Sequence, residues 1–142
     1  MRRFVVSAVL FSLLAVSLSS LAEAKVVAHI SLSAQRMDVS VNGVPLYSWR
    51  VSTARAGYRT PTGTFKPTGL FRYHASTIYS GSPMPHSIFF MRGYAIHGSY
   101  ETKYLGRPAS HGCVRLHPSN AAALHSLVKT YGAANTVIRI SH

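Results

Sequence analysis

The chain has 142 residues, a length that suits one domain, with 47 % hydrophobic and 13 % charged side chains; such a composition supports a core and excludes global disorder. Fifteen Lys and Arg stand against three Asp and Glu, a formal net charge of +12, and there is one Cys. One Cys excludes an intramolecular disulfide framework and a multi-thiolate zinc site, while the charge points to nucleic acid, an anionic membrane surface or an anionic polymer.

Met1-Arg2-Arg3 is a basic start, Phe4 to Leu18 is apolar and uncharged, and Leu21-Ala22-Glu23-Ala24 offers an A-x-A exit. That order is a secretory signal peptide over residues 1–24, with Lys25 as the first mature residue and cleavage after Ala22 as the competing position. The alternative, an uncleaved anchor, has 19 apolar-to-small positions between residues 4 and 22, several of them Ser, barely the ~20 that a span needs. No Cys follows the apolar stretch to carry a lipid. Residues 25–142 then form the mature domain, with 13 basic residues and two acidic ones, Asp38 and Glu101. The protein is therefore expected to be exported, with the periplasm as the expected compartment. Genomic DNA is absent there, so the basic excess turns toward cell-surface polyanions and no nucleic-acid partner is expected. The plain alternative is that the charge only keeps a small domain soluble.

Along the mature chain, Val26, Ala28 and Ile30 alternate as a strand, Ser33 to Arg36 breaks the run, and Met37, Val39 and Val41 resume it. Asn42-Gly43 signals a type I′ hairpin, with Val44–Leu46 and Trp49–Val51 as the return strand. Residues 54–63 are turn-rich, and Thr64-Phe65 begins a short strand punctuated by Pro67 and Gly69. The 12 residues from His74 to Pro85 lack periodicity, and an irregular stretch of that length in a small domain is more often functional than idle. Ser87–Met91, Tyr94–His97 and Thr136–Ile140 read as strands. One helix follows Pro118, with Ala121, Leu124, Leu127, Val128 and Tyr131 on one face and Gly132 closing it. The expected fold is mainly β, mixed sheets in a sandwich or barrel with one packed α-helix.

The chemistry concentrates between His97 and Arg115. Cys113 is the only thiol, and an exported protein gains no structural benefit from one, although a lone buried Cys is ordinarily an inert small hydrophobe. Its neighbours favour function. If the HGCVRL piece is extended, His111, Cys113 and Arg115 share one face while Val114 and Leu116 face the core. By the same alternation Ile96 points inward and His97 outward, toward Cys113. An imidazole can take the thiol proton, and nearby positive charge lowers the thiol pKa from its usual ~8.5. Backbone N–H groups around Gly112 and Cys113 are candidate oxyanion donors, bare Gly112 permits close substrate approach, and Arg115 offers a fork to a substrate carboxylate. Zinc on His97, His111 and Cys113 is the rival reading, without a recognised ligand spacing. His29, His74, His86, His117 and His125 read as surface or capping residues, with His86 also a candidate for lining a substrate cleft.

His97-Gly98-Ser99 followed by Ser110-His111-Gly112-Cys113-Val114-Arg115 resembles the signature of the L,D-transpeptidase (YkuD-type) catalytic domain. Val51-Ser52-Thr53 and Thr60-Pro61-Thr62-Gly63-Thr64-Phe65 are similar to the family's stretch ahead of the site. The likeness covers residues 26–140 and implies an enzyme that attacks a peptidoglycan stem peptide, releases the terminal D-Ala and passes the acyl-thioester to an amine. That amine is a second stem peptide, giving a 3→3 cross-link, or an envelope protein. It implies Cys113 as nucleophile and His97 as general base, and Ser110, His111, Gly112, Arg115, Gly98 and Ser99 around the oxyanion and substrate. Carbapenem acylation of the cysteine is implied, with no metal and no cofactor. Two features depart from the pattern: the interval from His97 to Ser110 is short, and Arg115 stands where many relatives carry Asn. Two other readings remain: the same acyl-enzyme resolved by water, as in an L,D-carboxypeptidase or amidase, and a non-catalytic wall-binding protein.

Overall fold

The computed structural model describes residues 25–142, so the signal peptide expected over residues 1–24 lies outside the described residues. Strands β1 (Val26–Ser31) and β2 (Arg36–Val41) pair antiparallel, and their alternation buries Val26, Ala28 and Ile30 opposite Val39 and Met37. Asn42 and Gly43 follow with φ of 50° and 77°, the left-handed pair that a type I′ turn needs. The return strand β3 (Val44–Arg50) is one continuous element, accommodated by a bulge between Val39 and Ser40. Strand β4 (Gly63–Phe65) and the carboxy-terminal β9 (Thr136–Ser141) complete this first sheet, in the order β3-β2-β1-β9-β4, with β9 parallel to β1.

The second sheet comprises β5 (Gly69–Phe71), β6 (Ser87–Met91), β7 (Tyr94–Gly98) and β8 (Val114–Leu116), in that order. Gly69 opens a strand that the sequence pattern treats as punctuation: three residues are too few to show a period of two, and β5 exists because β6 lends it an edge. Helix α1 (Pro118–Tyr131) packs on β7, β6 and β1 and buries Ala121, Leu124 and Val128. His117 caps it, its Nδ1 accepting from Ser119 N–H at 3.2 Å, and Gly132 ends it at φ 91°, a conformation that favours glycine.

One core joins the two sheets and the helix: Ile30, Met37, Ile88, Ile96, Leu116, Leu124, Ile138 and Ile140 are all essentially inaccessible to solvent. At roughly 1.5–3 kcal/mol for each such side chain, this burial is the main force holding β7 and β8 in place. It also fixes which face of that strand pair looks away from the core. The architecture is the expected one, mainly β with mixed sheets and a single packed α-helix.

Candidate active site

Strands β7 and β8 run parallel, with Ile96 beside Val114, His97 beside Arg115 and Gly98 beside Leu116. Since Ile96, Val114 and Leu116 are claimed by the core, alternation sends His97 and Arg115 to the other face, and the turn ahead of β8 brings Cys113 beside them. There they line a cleft of about 480 Å³ together with His111, Ser99 and Ser110. Gly98 and Gly112 serve the site through their backbones. The extended reading holds only for residues 114–116; at Gly112 the backbone turns through φ 141°.

His97 is buried, 6 % exposed, although alternation suggests an outward-facing residue. Alternation sets only the face that a residue takes; the irregular segment from His74 to Met84 lines the same cleft. That segment is stitched to itself by the Ser76 N–H to Ser82 carbonyl bond (2.9 Å) and the Met84 N–H to His74 carbonyl bond (2.8 Å). It reaches the turn that bears Cys113 through Tyr79, whose ring stacks on His111 at 4.2 Å, while Tyr58 meets the same imidazole edge-on at 4.5 Å. His74, read from sequence as a surface residue, also lines the cleft and packs edge-on against Phe89. His86 does not line it; its ring faces His125 on α1 at 5.5 Å.

His97 Nδ1 contacts the Gly98 carbonyl at 2.7 Å. A carbonyl only accepts, so Nδ1 carries the proton and Nε2 holds the lone pair. Burial lowers the His97 pKa to about 4, the Gly98 bond opposing it and the Arg115 and His74 charges adding to it. The ring is a neutral base at physiological pH. Burial also pushes the Cys113 thiol up, against the Ala95 backbone and Arg115, which both act to lower it. The sequence suggests a thiol activated by neighbouring positive charge; the charge is present, and desolvation outweighs it. His97 and Cys113 share the cleft without a direct hydrogen bond, and the thiol instead points to the Gly93 carbonyl at 3.9 Å.

The turn bearing Cys113 is held from within and from behind. Ser110 Oγ accepts from Gly112 N–H at 3.0 Å and donates to the Cys113 carbonyl at 2.6 Å. Thr60 Oγ1 donates to the Gly112 carbonyl at 2.8 Å and accepts from Ala54 N–H at 3.0 Å. Ser52 and Arg115 exchange backbone bonds of 3.0 and 2.9 Å. Buried Gln35 supports the same loop, its amide donating to Thr53 Oγ1 at 2.6 Å and its carbonyl accepting from Thr53 N–H at 3.0 Å. Ser52, Thr53 and Thr60 belong to the Val51-Ser52-Thr53 and Thr60-Pro61-Thr62 pieces of the sequence motif; Gln35 carried no sequence signal.

Three roles suggested by sequence change in detail. The Gly112 N–H is already committed to Ser110, so among the described residues only the Cys113 N–H of that pair is without a hydrogen bond. The space beside Gly112 is filled by the Tyr94 ring and the Arg59 carbonyl, and is closed to a substrate. The Arg115 guanidinium is not vacant: its Nη1 meets Glu101 Oε2 at 3.3 Å. Gly98 acts through its backbone, and Ser99 through its backbone and through its hydroxyl, which accepts from Glu101 N–H at 3.2 Å. Gly98 N–H donates to the Pro85 carbonyl at 2.8 Å and Ser99 N–H to the Leu116 carbonyl at 2.9 Å. A side chain on Gly98 would crowd Pro85 and Pro118. Among the described residues, no three His, Cys, Asp or Glu side chains converge as a metal-binding set.

Residues 25–139 match the family model for the L,D-transpeptidase catalytic domain, YkuD. No curated protein sequence matches the chain. Among solved structures, an L,D-transpeptidase from Stackebrandtia nassauensis superposes with a TM-score of 0.72 at 28 % identity, covering 84 % of this chain and 58 % of that one. An L,D-transpeptidase from Mycobacterium smegmatis gives 0.73 at 23 % identity, covering 83 % and 59 %. L,D-transpeptidase 3 from Mycobacterium tuberculosis, solved with a faropenem-derived adduct, gives 0.72 at 19 % identity, covering 83 % and 60 %. The chain spans about three fifths of the length of these structures. With that match extending from the first described strand into the last, the chain belongs to the L,D-transpeptidase catalytic domain family.

Proposed function

We propose that the protein is an exported L,D-transpeptidase that acts on peptidoglycan stem peptides through a Cys113 thioester. The observation that carries this reading is the shared cleft of Cys113 and a neutral, carbonyl-oriented His97. The stem-peptide carbonyl enters beside the sulfur, and the thiol leaves the Gly93 carbonyl to face His97 Nε2. As sulfur attacks, Nε2 takes the thiol proton, and no thiolate need accumulate beforehand. The Cys113 N–H supports the developing oxyanion. The imidazolium then protonates the departing amine of the terminal D-Ala and leaves a thioester. An acceptor amine loses its proton to Nε2 and attacks the thioester, and the proton returns to sulfur. His111, braced by Tyr79 and Tyr58, and Arg115, beside β7, border the substrate's path. Ser110, Gly112, Gly98 and Ser99 are positioning residues.

The acceptors are a second stem peptide or an amine of an envelope protein, and carbapenems acylate Cys113. The faropenem-derived adduct of the Mycobacterium tuberculosis relative, from a penem related to the carbapenems, is in keeping with that expectation. Residues 1–24 direct export to the periplasm, and the basic surface holds the enzyme to the anionic wall. The test incubates the protein with tetrapeptide-ending muropeptides and weighs the products. A dimer formed with loss of D-Ala supports transfer, whereas tripeptide alone identifies the hydrolytic alternative. No product together with no meropenem adduct on Cys113 would sink both. Cys113→Ala should abolish turnover and retain wall binding.

A further inference from the structure

Residues 25–142 contain two acidic side chains. Asp38 is on β2, engaged by the Ser48 hydroxyl and by Arg36. Glu101 lines the catalytic cleft, three residues past the end of β7, its N–H donating to Ser99 Oγ at 3.2 Å. Its Oε2 meets Arg115 Nη1 at 3.3 Å, its side chain is 63 % exposed, and Oε1 has no protein partner among the described residues. Among the described residues, the other charged or titratable side chains lining this space are Arg115, His97, His74, His111, Cys113, Tyr79, Tyr94 and Tyr100, none of them a carboxylate, and Arg55 stands close enough to act on His111.

An amine acceptor arrives as an ammonium, since unperturbed primary amines titrate near ~10. Arg115 and Arg55 repel such a cation, and Glu101 is the one carboxylate among the described residues that line the cleft. Its contact with Arg115 is a single, exposed one of a kind that contributes little to stability, so the carboxylate is available to a second cation. We propose that Glu101 selects the acyl acceptor: its carboxylate receives the protonated amine and holds it beside the Cys113 thioester. This rests on the acyl-transfer reading above and assigns that reaction a cationic primary amine as its second substrate. The ammonium releases one proton to solvent, and the amine lone pair forms the new C–N bond as the second proton passes to His97 Nε2. The C–S bond breaks, and Nε2 returns that proton to the sulfur.

The experiment measures how the acyl-enzyme divides between amine and water, a ratio that does not depend on how fast Cys113 is acylated. The donor is a tetrapeptide muropeptide. The nucleophiles are Nα-acetyl-lysinamide, which is cationic, and hydroxylamine, which is neutral at pH 7.5. For Glu101→Gln the amine-to-water ratio with the lysinamide is expected to fall about tenfold through a raised KM for the amine. The hydroxylamine ratio should change less than twofold, and Glu101→Asp should recover part of the loss. An unchanged lysinamide ratio, or an equal fall for both nucleophiles, would overturn the proposal and leave Glu101 as a support for Arg115. If the parent protein forms no thioester on Cys113, the acyl-transfer reading fails first and takes this inference with it.

Discussion

The ring of Tyr94 occupies the space that a side chain on Gly112 would need. A β-carbon there would lie 2.6 Å from Tyr94 Cε1 and 2.9 Å from the Arg59 carbonyl oxygen, and the backbone φ of 141° is one that L-residues rarely adopt. Replacing Gly112 with Ala therefore combines dihedral strain with overpacking against backbone, each costing about 1–3 kcal/mol. Gly112→Ala should lower stability by roughly 3 kcal/mol and remove acylation of Cys113. Denaturant titration with intact-mass detection of a carbapenem adduct measures both. A variant as stable and reactive as the parent would refute the crowding.

Thr60 couples the motif ahead of the site to the catalytic turn. Its hydroxyl is buried between the Gly112 carbonyl and the Ala54 N–H. Thr60→Val keeps the shape and orphans both partners, at a cost of about 1–3 kcal/mol. Acylation should fall at least tenfold, because a turn that shifts the sulfur by an ångström loses orientation. Thermal unfolding and the acylation rate read the two effects; a stability change without a rate change would make the contact purely structural.

The neutrality of His97 sets the acid side of the pH profile. With a folded pKa of about 4 against an ordinary 6.5, the folded protein disfavours the protonated ring, and the unfolded chain takes up the proton first. Stability from this group is complete above about pH 6.5, declines as pH falls, and is lost through about pH 4, a change of roughly 3 kcal/mol. Acylation should likewise hold its rate from neutral pH to about 5 and drop near 4. A limb centred near 6.5 in the rate of the free protein would show a solvent-exposed imidazole instead.

Cys113 should behave as a thiol until its base engages it. Burial holds its pKa above the usual thiol value, so iodoacetamide should alkylate it slowly at pH 7, with the rate still rising beyond pH 9. A cysteine already ionised at neutral pH would be alkylated quickly and show a flat profile there, contradicting the neutral-pair mechanism.

Strands β1 and β2 were legible because their burial alternates: Val26, Ala28 and Ile30 against Met37 and Val39, closed by Asn42-Gly43. Helix α1 was legible from the face carrying Ala121, Leu124 and Val128 between Pro118 and Gly132. The strand β5 was not, since three residues carry no period and its existence depends on β6. His97 was readable as a cleft neighbour of Cys113, yet its burial was not, because a period of two assigns a residue to a face and carries nothing about what packs on that face.

Residue order alone determined that His97 and Arg115 would share a face, since Ile96, Val114 and Leu116 are apolar and a strand alternates; Cys113 joins them through the turn at Gly112. Residue order also singled out the one thiol as the candidate nucleophile. Tertiary structure decided the state of that group. Whether a thiol beside positive charge is ionised depends on how much water the surrounding chain removes, and desolvation here exceeds the attraction of Arg115. It also decided that Gly112 N–H is spent on Ser110, that Gln35 braces Thr53 from 18 residues away, and that Glu101 meets Arg115 at the rim. The Gln35–Thr53 and Glu101–Arg115 pairings join residues distant in sequence, and local pattern carries no record of which distant groups the folded core will bring together.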